Sequence, residues 1–221
     1  MHLSRSEAQC LLDAAQLPVA LTGLPSVGKS ERGRQLAAIG FEHLECDTDI
    51  AHRLSAEYGI ELNDVDDVAG WMGMPNVQGF VNREARYLYH EAAVLREVTA
   101  RLQRAPSNIA VDTTGSSVHV GQKIFRRLQS VALVVYLEAS PELRDELFRR
   151  FVERPKPILF DRFWRPFPPE PLDESLRRCY GNLVEWRERE YPRFADVILP
   201  VEEVPFDMDG RSFLELVLDR L

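Results

Sequence analysis

An α/β fold with an all-parallel sheet is what this chain of 221 residues predicts, and three observations carry that expectation. Short apolar runs alternate with helical stretches, the pattern of strands buried on both faces by crossover helices. The segment GLPSVGKS, residues 23–30, follows one such run and opens a helix. Two polar segments, DTD at 47–49 and DTTGS at 112–116, end two other runs. In parallel sheets ligands gather at the carboxyl ends of the strands, where all three segments fall.

The elements follow in order. MHLSRSEAQCLLDAAQL reads as an amphipathic helix and lacks the long apolar stretch of a secretory signal. LPVALTG is a buried strand with Pro18 at its first position, where proline is tolerated. SERGRQLAAIG is a helix with Leu36, Ala37 and Ile39 on its apolar side and Gly40 as its stop. FEHLEC, 41–46, is the second strand. Residues 49–105 read as largely helical, broken at 70–79, where glycines and a proline interrupt regular structure. SNIAVDTTGS gives the third strand over 108–112, QKIFRRLQ a helix, and VALVVYLEAS (131–140) the fourth strand. PELRDELFRRFVER is a helix with Pro141 at its start. The stretch 154–173 carries six prolines and cannot be one continuous helix. A last helix over 173–190 leads into DVILP, the fifth strand.

Composition narrows the function. A net charge of −8 supplies no overall positive field, which argues against a general nucleic-acid binder. Three widely spaced cysteines with no C-x-x-C pair point to reduced thiols in a cytoplasmic protein and away from zinc. No run approaches the ~18 apolar residues of a membrane span.

The chemistry begins with the loop, whose pattern is G-x-x-x-x-G-K-[ST], the P-loop. Through Gly23, Leu24, Pro25, Ser26, Val27 and Gly28 the backbone would turn its N–H groups toward phosphate oxygens. Lys29 would reach the β- and γ-phosphates, and the Ser30 hydroxyl would ligate Mg²⁺. The competing reading is an ordinary strand-to-helix turn, and the order strand, loop, helix favours phosphate. In extended chain Asp47 and Asp49 point the same way. They could then divide two tasks of phosphoryl transfer, holding Mg²⁺ and drawing the proton of the acceptor hydroxyl. Capping the next helix is the alternative. Asp112 ends a strand where a second metal-shell carboxylate would sit, or else forms a turn. Thr113, Thr114, Ser116 and Ser117 around Gly115 suit a polar ligand or a solvated turn. Arg144, Arg149, Arg150 and Arg154 lie on or just after one helix, with Lys156, Arg162 and Arg165 in the following loop. That loop has the length of a lid that excludes water. Its Phe160, Phe163, Trp164 and Phe167 would close on a ligand or partner, or pack the loop down.

In combination these residues resemble the shikimate kinases, within the nucleoside-monophosphate-kinase-like P-loop group, over roughly residues 18 to 200. The matching features are GLPSVGKS, the D-x-D of 47–49, F-x-x-R-E at Phe80 to Glu84, VVYLEASPELRDELFRR, Arg154-Pro155 and REREYPRFAD (187–196). The resemblance implies a P-loop NTPase fold: a five-stranded parallel sheet flanked by helices in a single domain over 1–221. Its core would cover about 18–48, 106–150 and 174–221, with a helical acceptor-binding insertion at about 49–105 and a Pro- and aromatic-rich lid at about 151–173. It implies ATP and Mg²⁺, with Asp47 in the metal shell and Asp49 on the acceptor hydroxyls as base. Arg154 would be a lid arginine over ATP. Arg187 would pair with the substrate carboxylate; the plainer alternative is a surface pair with Glu185 or Glu190.

Two positions depart from the family pattern. Its second clamp arginine falls on Val81, leaving Arg83 two positions on as the nearest candidate. Its Gly-Gly-Gly falls on Thr114-Gly115-Ser116, whose side chains would narrow or repolarise the pocket. The segment 59–80 is also long, and Trp71 and Met74 would reshape the acceptor site. The expectation is therefore an ATP-dependent kinase for a hydroxyl of a small polar metabolite, with shikimate a poor substrate. The alternatives are a genuine shikimate kinase with a rearranged clamp, and a nucleotide-binding regulatory module.

Overall fold

The computed structural model describes residues 2–221, apart from the Arg144 side chain. Five parallel strands form one sheet in the order β2-β3-β1-β4-β5. They are β1 (Val19–Thr22), β2 (Glu42–Glu45), β3 (Ile109–Asp112), β4 (Leu133–Glu138) and β5 (Val197–Pro200). In the middle, β1 pairs with β3 on one side and β4 on the other, so Leu21 stands beside both Asp112 and Val135. Every residue of β1 and β3 is buried, as continuous apolar runs require in a sheet covered on both faces. β2, at an edge, keeps Glu42 and Glu45 exposed.

The helices are α1 (Arg5–Asp13), α2 (Lys29–Ala37), α3 (Cys46–Tyr58), α4 (Val65–Met72), α5 (Phe80–Arg104), α6 (Gln122–Gln129), α7 (Pro141–Glu153), α8 (Leu172–Glu190) and α9 (Gly210–Asp219). Local chemistry sets several starts. Ser4 and Glu7 form a reciprocal capping box on α1. Asp64 caps α4 by accepting from the backbone N–H groups of Asp66 and Asp67, and Ser140 caps α7 ahead of Pro141. None of the described helices is long and apolar enough to cross a membrane.

Three differences from the sequence expectation have physical causes. The second strand stops at Glu45, and DTD lies in the first turn of α3. Gly70 is helical, because the Asp64 cap and the buried Val68, Ala69 and Met72 hold α4 together across it; the break runs only from 73 to 79. The sequence also gave no separate signal for α9, which Asp209 caps and which buries Phe213, Leu214, Val217 and Leu218. Its Gly210 lies so close to α2 that a Cβ would stand 2.1 Å from the Gln35 carbonyl oxygen.

Between α7 and α8 the chain is irregular except for a short turn at Asp161–Phe163. Ile158, Leu159 and Phe160 are buried. Phe160 packs edge-on against Phe80, Phe151 and Trp164, and Phe163 packs on Trp186. These aromatics therefore pin the loop to α5, α7 and α8, while Phe167 stays exposed. Glu84 on α5 adds a polar tie, its Oε1 accepting from the backbone N–H groups of Phe160 (2.5 Å) and Asp161 (2.9 Å).

Candidate active site

Between β1 and α2 the loop 23–28 takes a shape that its sequence allows. Gly23 (φ 143°) and Gly28 (φ 98°) lie in backbone regions that side chains disfavour. A Cβ on Gly23 would meet the Leu137 carbonyl oxygen at 2.6 Å. Lys29, the first residue of α2, curls back over the loop: its Nζ donates to the carbonyls of Leu24 (2.9 Å) and Gly23 (3.2 Å). Burial lowers its pKa, and the charges of Asp112 and Asp47 oppose that shift.

Asp112 closes β3 beside α2, where the Ser30 hydroxyl and the Lys29 charge favour its ionised form. Asp47, from the first turn of α3, accepts from the Tyr87 hydroxyl at 3.0 Å. Burial raises the pKa of both carboxyls. For Asp47 the neighbouring Asp112 adds to the effect, taking it to about 6. Lys29, Ser30, Asp47, Tyr87, Asp112 and Lys156 line one cleft of about 280 Å³ with the phosphate loop. The two carboxylates and the Ser30 hydroxyl make an oxygen donor set that fits Mg²⁺, with Lys29 and Lys156 beside it. Among the described residues no three acidic, histidine or cysteine side chains cluster as a protein-only metal cage. Mg²⁺ characteristically binds through one or two carboxylates together with substrate phosphates.

The structure separates the pair Asp47 and Asp49. On a helix, residues two apart lie about 200° apart around the axis. Asp47 therefore faces the phosphate loop while Asp49 is 54% exposed, 3.7 Å from Arg53. Asp49 lines a different cleft, of about 450 Å³, with His52, Glu97 and Arg101. Capping is no better an account, since Glu45 is the N-cap and makes no side-chain capping bond.

Arg83 does not stand in for the missing clamp. Its Nε donates to the Met72 carbonyl (2.9 Å) and Nη2 to that of Gln78 (3.3 Å), tying off the break before α5. Arg154 is largely exposed and paired with Asp66 of α4; it lines a small recess beside Pro25 and Ser26. Lys156, paired with the same Asp66, is the loop cation that lines the main cleft.

Thr113, Thr114, Ser116 and Ser117 are buried, which removes the solvated-turn reading. Thr114 and Ser116 both donate to Oε1 of Glu91, Ser116 at 2.7 Å. Gly115 lies against the phosphate loop, where a Cβ would come within 2.5 Å of the Pro25 ring. Its carbonyl accepts from the Tyr191 hydroxyl at 2.7 Å.

Arg187 is 1% exposed, so it belongs to no solvated helix face. Glu185 pairs with Arg189 and Glu190 with Arg193. The Arg187 guanidinium donates to His119 Nε2 and to the Leu159 carbonyl, both at 3.2 Å. Burial, with Arg187 and Arg162 nearby, drives the His119 pKa down to about 2, leaving a neutral ring that accepts. Both partners are neutral, and no carboxylate among the described residues lies within ion-pair reach. An anion is what that buried charge lacks.

Sequence reasoning missed Tyr87, Glu91 and His119. A signal existed for Glu91: it stands four residues after Tyr87 and four before Leu95, a carboxylate on the buried stripe of α5.

No family model matches the chain. Shikimate kinase of Bordetella avium is 29% identical over 203 residues, covering 89% of this chain and 79% of that protein. Shikimate kinase of Histophilus somni is 26% identical over 198 residues, covering 89% and 93%. Among solved structures, shikimate kinase from Acinetobacter baumannii in complex with shikimate has a TM-score of 0.61 at 20% identity, covering 96% of this chain and 97% of that one. Shikimate kinase from Aquifex aeolicus has a TM-score of 0.53 at 18% identity, covering 90% and 95%. With its G-x-x-x-x-G-K-S loop and its sheet order, the chain is similar in sequence to shikimate kinases and shares the α/β fold of their solved structures.

Proposed function

We propose that the chain transfers the γ-phosphoryl group of ATP to a hydroxyl of a small polar metabolite that carries an anionic group. One observation supports this most: Lys29, Ser30, Asp112 and Asp47 converge on one cleft at the carboxyl end of the sheet. When bound, Mg²⁺-ATP supplies the phosphoryl group and part of the charge neutralisation. The backbone of 23–28 cradles the phosphates, and Lys29 exchanges its carbonyl partners for phosphate oxygens. Ser30 and Asp112 would hold Mg²⁺. Asp47 takes the role first assigned to Asp49, orienting the acceptor hydroxyl and drawing its proton. A pKa of about 6 suits a base near neutral pH. Arg187 grips the anionic group, Lys156 adds charge from the lid, and the packed loop excludes water.

The region 49–105 then serves as the acceptor-binding part and 151–173 as the lid. Arg154, tethered to Asp66, would have to swing to reach nucleotide. A genuine shikimate kinase is the second reading, favoured by the names of the relatives above 25% identity. Lys29→Ala is the direct test. It should abolish ADP formation in a folded protein, because the cation offsetting β/γ-phosphate charge is lost. Unchanged turnover would remove the P-loop assignment.

A further inference from the structure

Glu91 is a carboxylate that the reaction above does not use. It is 1% exposed, on α5 one turn beyond Tyr87, behind the segment 114–116 whose Gly115 lines the cleft. Its Oε1 accepts from both Thr114 and Ser116. Its Oε2 is buried and has no hydrogen-bond partner among the described residues. Structural need alone accounts for Oε1 only, since a glutamine carbonyl would satisfy the same two hydroxyls. A buried polar atom left bare costs free energy unless something completes it. Burial pushes the Glu91 pKa up to about 7, against the pull of Ser116, Thr114 and Arg187.

Arg187 has the complementary deficit. It is a permanently charged group, equally buried, with two neutral acceptors and, among the described residues, no carboxylate partner. The two charges are close enough to influence one another, yet they form no ion pair. One molecule could complete both, with an anionic group on Arg187 and a donor on Glu91.

We propose that Glu91 is a specificity-determining residue of the acceptor site, receiving a hydrogen bond from an amine or hydroxyl that the acceptor carries close to its anionic group. This rests on the kinase reading above. Thr114 and Ser116 aim the carboxylate by occupying its other oxygen, so the acceptor meets Oε2 alone.

Three compounds that differ only at C2 test it: L-homoserine with an ammonium, (S)-2,4-dihydroxybutyrate with a hydroxyl, and 4-hydroxybutyrate with neither. Each is titrated calorimetrically into protein loaded with a non-hydrolysable ATP analogue. Wild type should bind at least one donor-bearing compound about tenfold or more tighter than 4-hydroxybutyrate, the ~1.4 kcal/mol of one charge-assisted hydrogen bond. Which of the two binds tighter identifies amine or hydroxyl. In Glu91→Gln the amide N–H faces the donor, and the preference should fall to within about threefold. Glu91→Asp, which keeps the charge but withdraws it, should retain part of the preference and covers the case of an unstable glutamine variant. Equal binding of all three by wild type, including none detectable, overturns the proposal. So does a preference that survives in both variants. Failure of wild type to bind the ATP analogue would instead overturn the kinase reading.

Discussion

At the scale of single residues, two carboxylates separated by one position have different fates, and that difference can be measured. Asp47→Asn keeps the Tyr87 contact but removes the charge that faces the phosphate loop. It should lower turnover by about 10²–10⁴, with binding of an ATP analogue largely kept. Asp49→Asn, on the solvated side of α3, should leave turnover within about twofold. If the two effects are reversed in a coupled ADP assay, the extended-chain reading of DTD was right and the helical one wrong. That pair also marks where the sequence stopped being legible. Spacing fixes which face a residue takes only once the local conformation is known, and α3 begins at Cys46, three residues before the helical stretch expected from 49. Arg187 was legible by position, but its burial and its bond to His119 come from chain segments 68 residues apart. Arg187→Ala should mainly raise the apparent KM for the acceptor and leave ATP affinity little changed, as loss of uniform binding does. Glu91 adds a pH dependence of stability. Its folded-state pKa of about 7 lies above the ordinary 4.5, so the folded form binds more protons between those values. Stability from this group therefore falls as pH rises from about 4.5 to 7. Glu91→Gln should gain on wild type over that window, and melting temperatures at pH 5 and pH 8 that show no widening gap would contradict the assignment.

Elements carry the site through close approaches that no local pattern announces. The phosphate loop was readable in full, because glycine spacing, lysine and serine are a covalent pattern. The packing of 112–116 against it was not, since it joins the ends of β1 and β3 across 90 residues of chain. Gly115 is the contact point, with no room for a methyl group beside Pro25. Gly115→Ala should push the loop out of shape and weaken binding of an ATP analogue by about tenfold, the scale of an overpacking cost of 1–3 kcal/mol. The segment between α7 and α8 was legible as a proline-rich loop, and its aromatics fasten it. What the sequence left open, whether they cover a ligand or hold the loop down, the contacts of Phe160 and Phe163 answer for the second. Glu84→Ala removes the polar tie to Phe160 and Asp161 while leaving that aromatic packing in place. Limited proteolysis should then cut faster within 154–171 than in wild type, with global melting changed much less.

For the whole molecule, alternation of short strands with helices was enough to point to a five-stranded parallel sheet, because the apolar runs of β1, β3 and β4 are those of strands covered on both faces by crossover helices. Shikimate is the substrate-level test of the molecule's divergence. With Val81 exposed in place of a clamp and Thr114 and Ser116 turned onto Glu91, kcat/KM for shikimate should stay below about 10⁴ M⁻¹s⁻¹. A higher value would make the second reading the right one. The central place of β1 has a further consequence, for synthesis. β1 and β2 are the first strands made, yet they never touch; β3 separates them in the sheet. Neither has a partner until residues 109–112 have been translated, and β1 lacks its second neighbour until 133–138 follow. About half the chain thus leaves the ribosome with two strand segments, the apolar β1 and the more polar β2, and no ladder to join. Parallel pairing is slow for the same entropic reason. A fragment ending at residue 105 should hold helix but no sheet by infrared spectroscopy and should associate, whereas one ending at 140 should pair β1 on both sides. Chaperone capture of nascent chains should accordingly be strongest on those halted before residue 109 and should fall on those carried past 138.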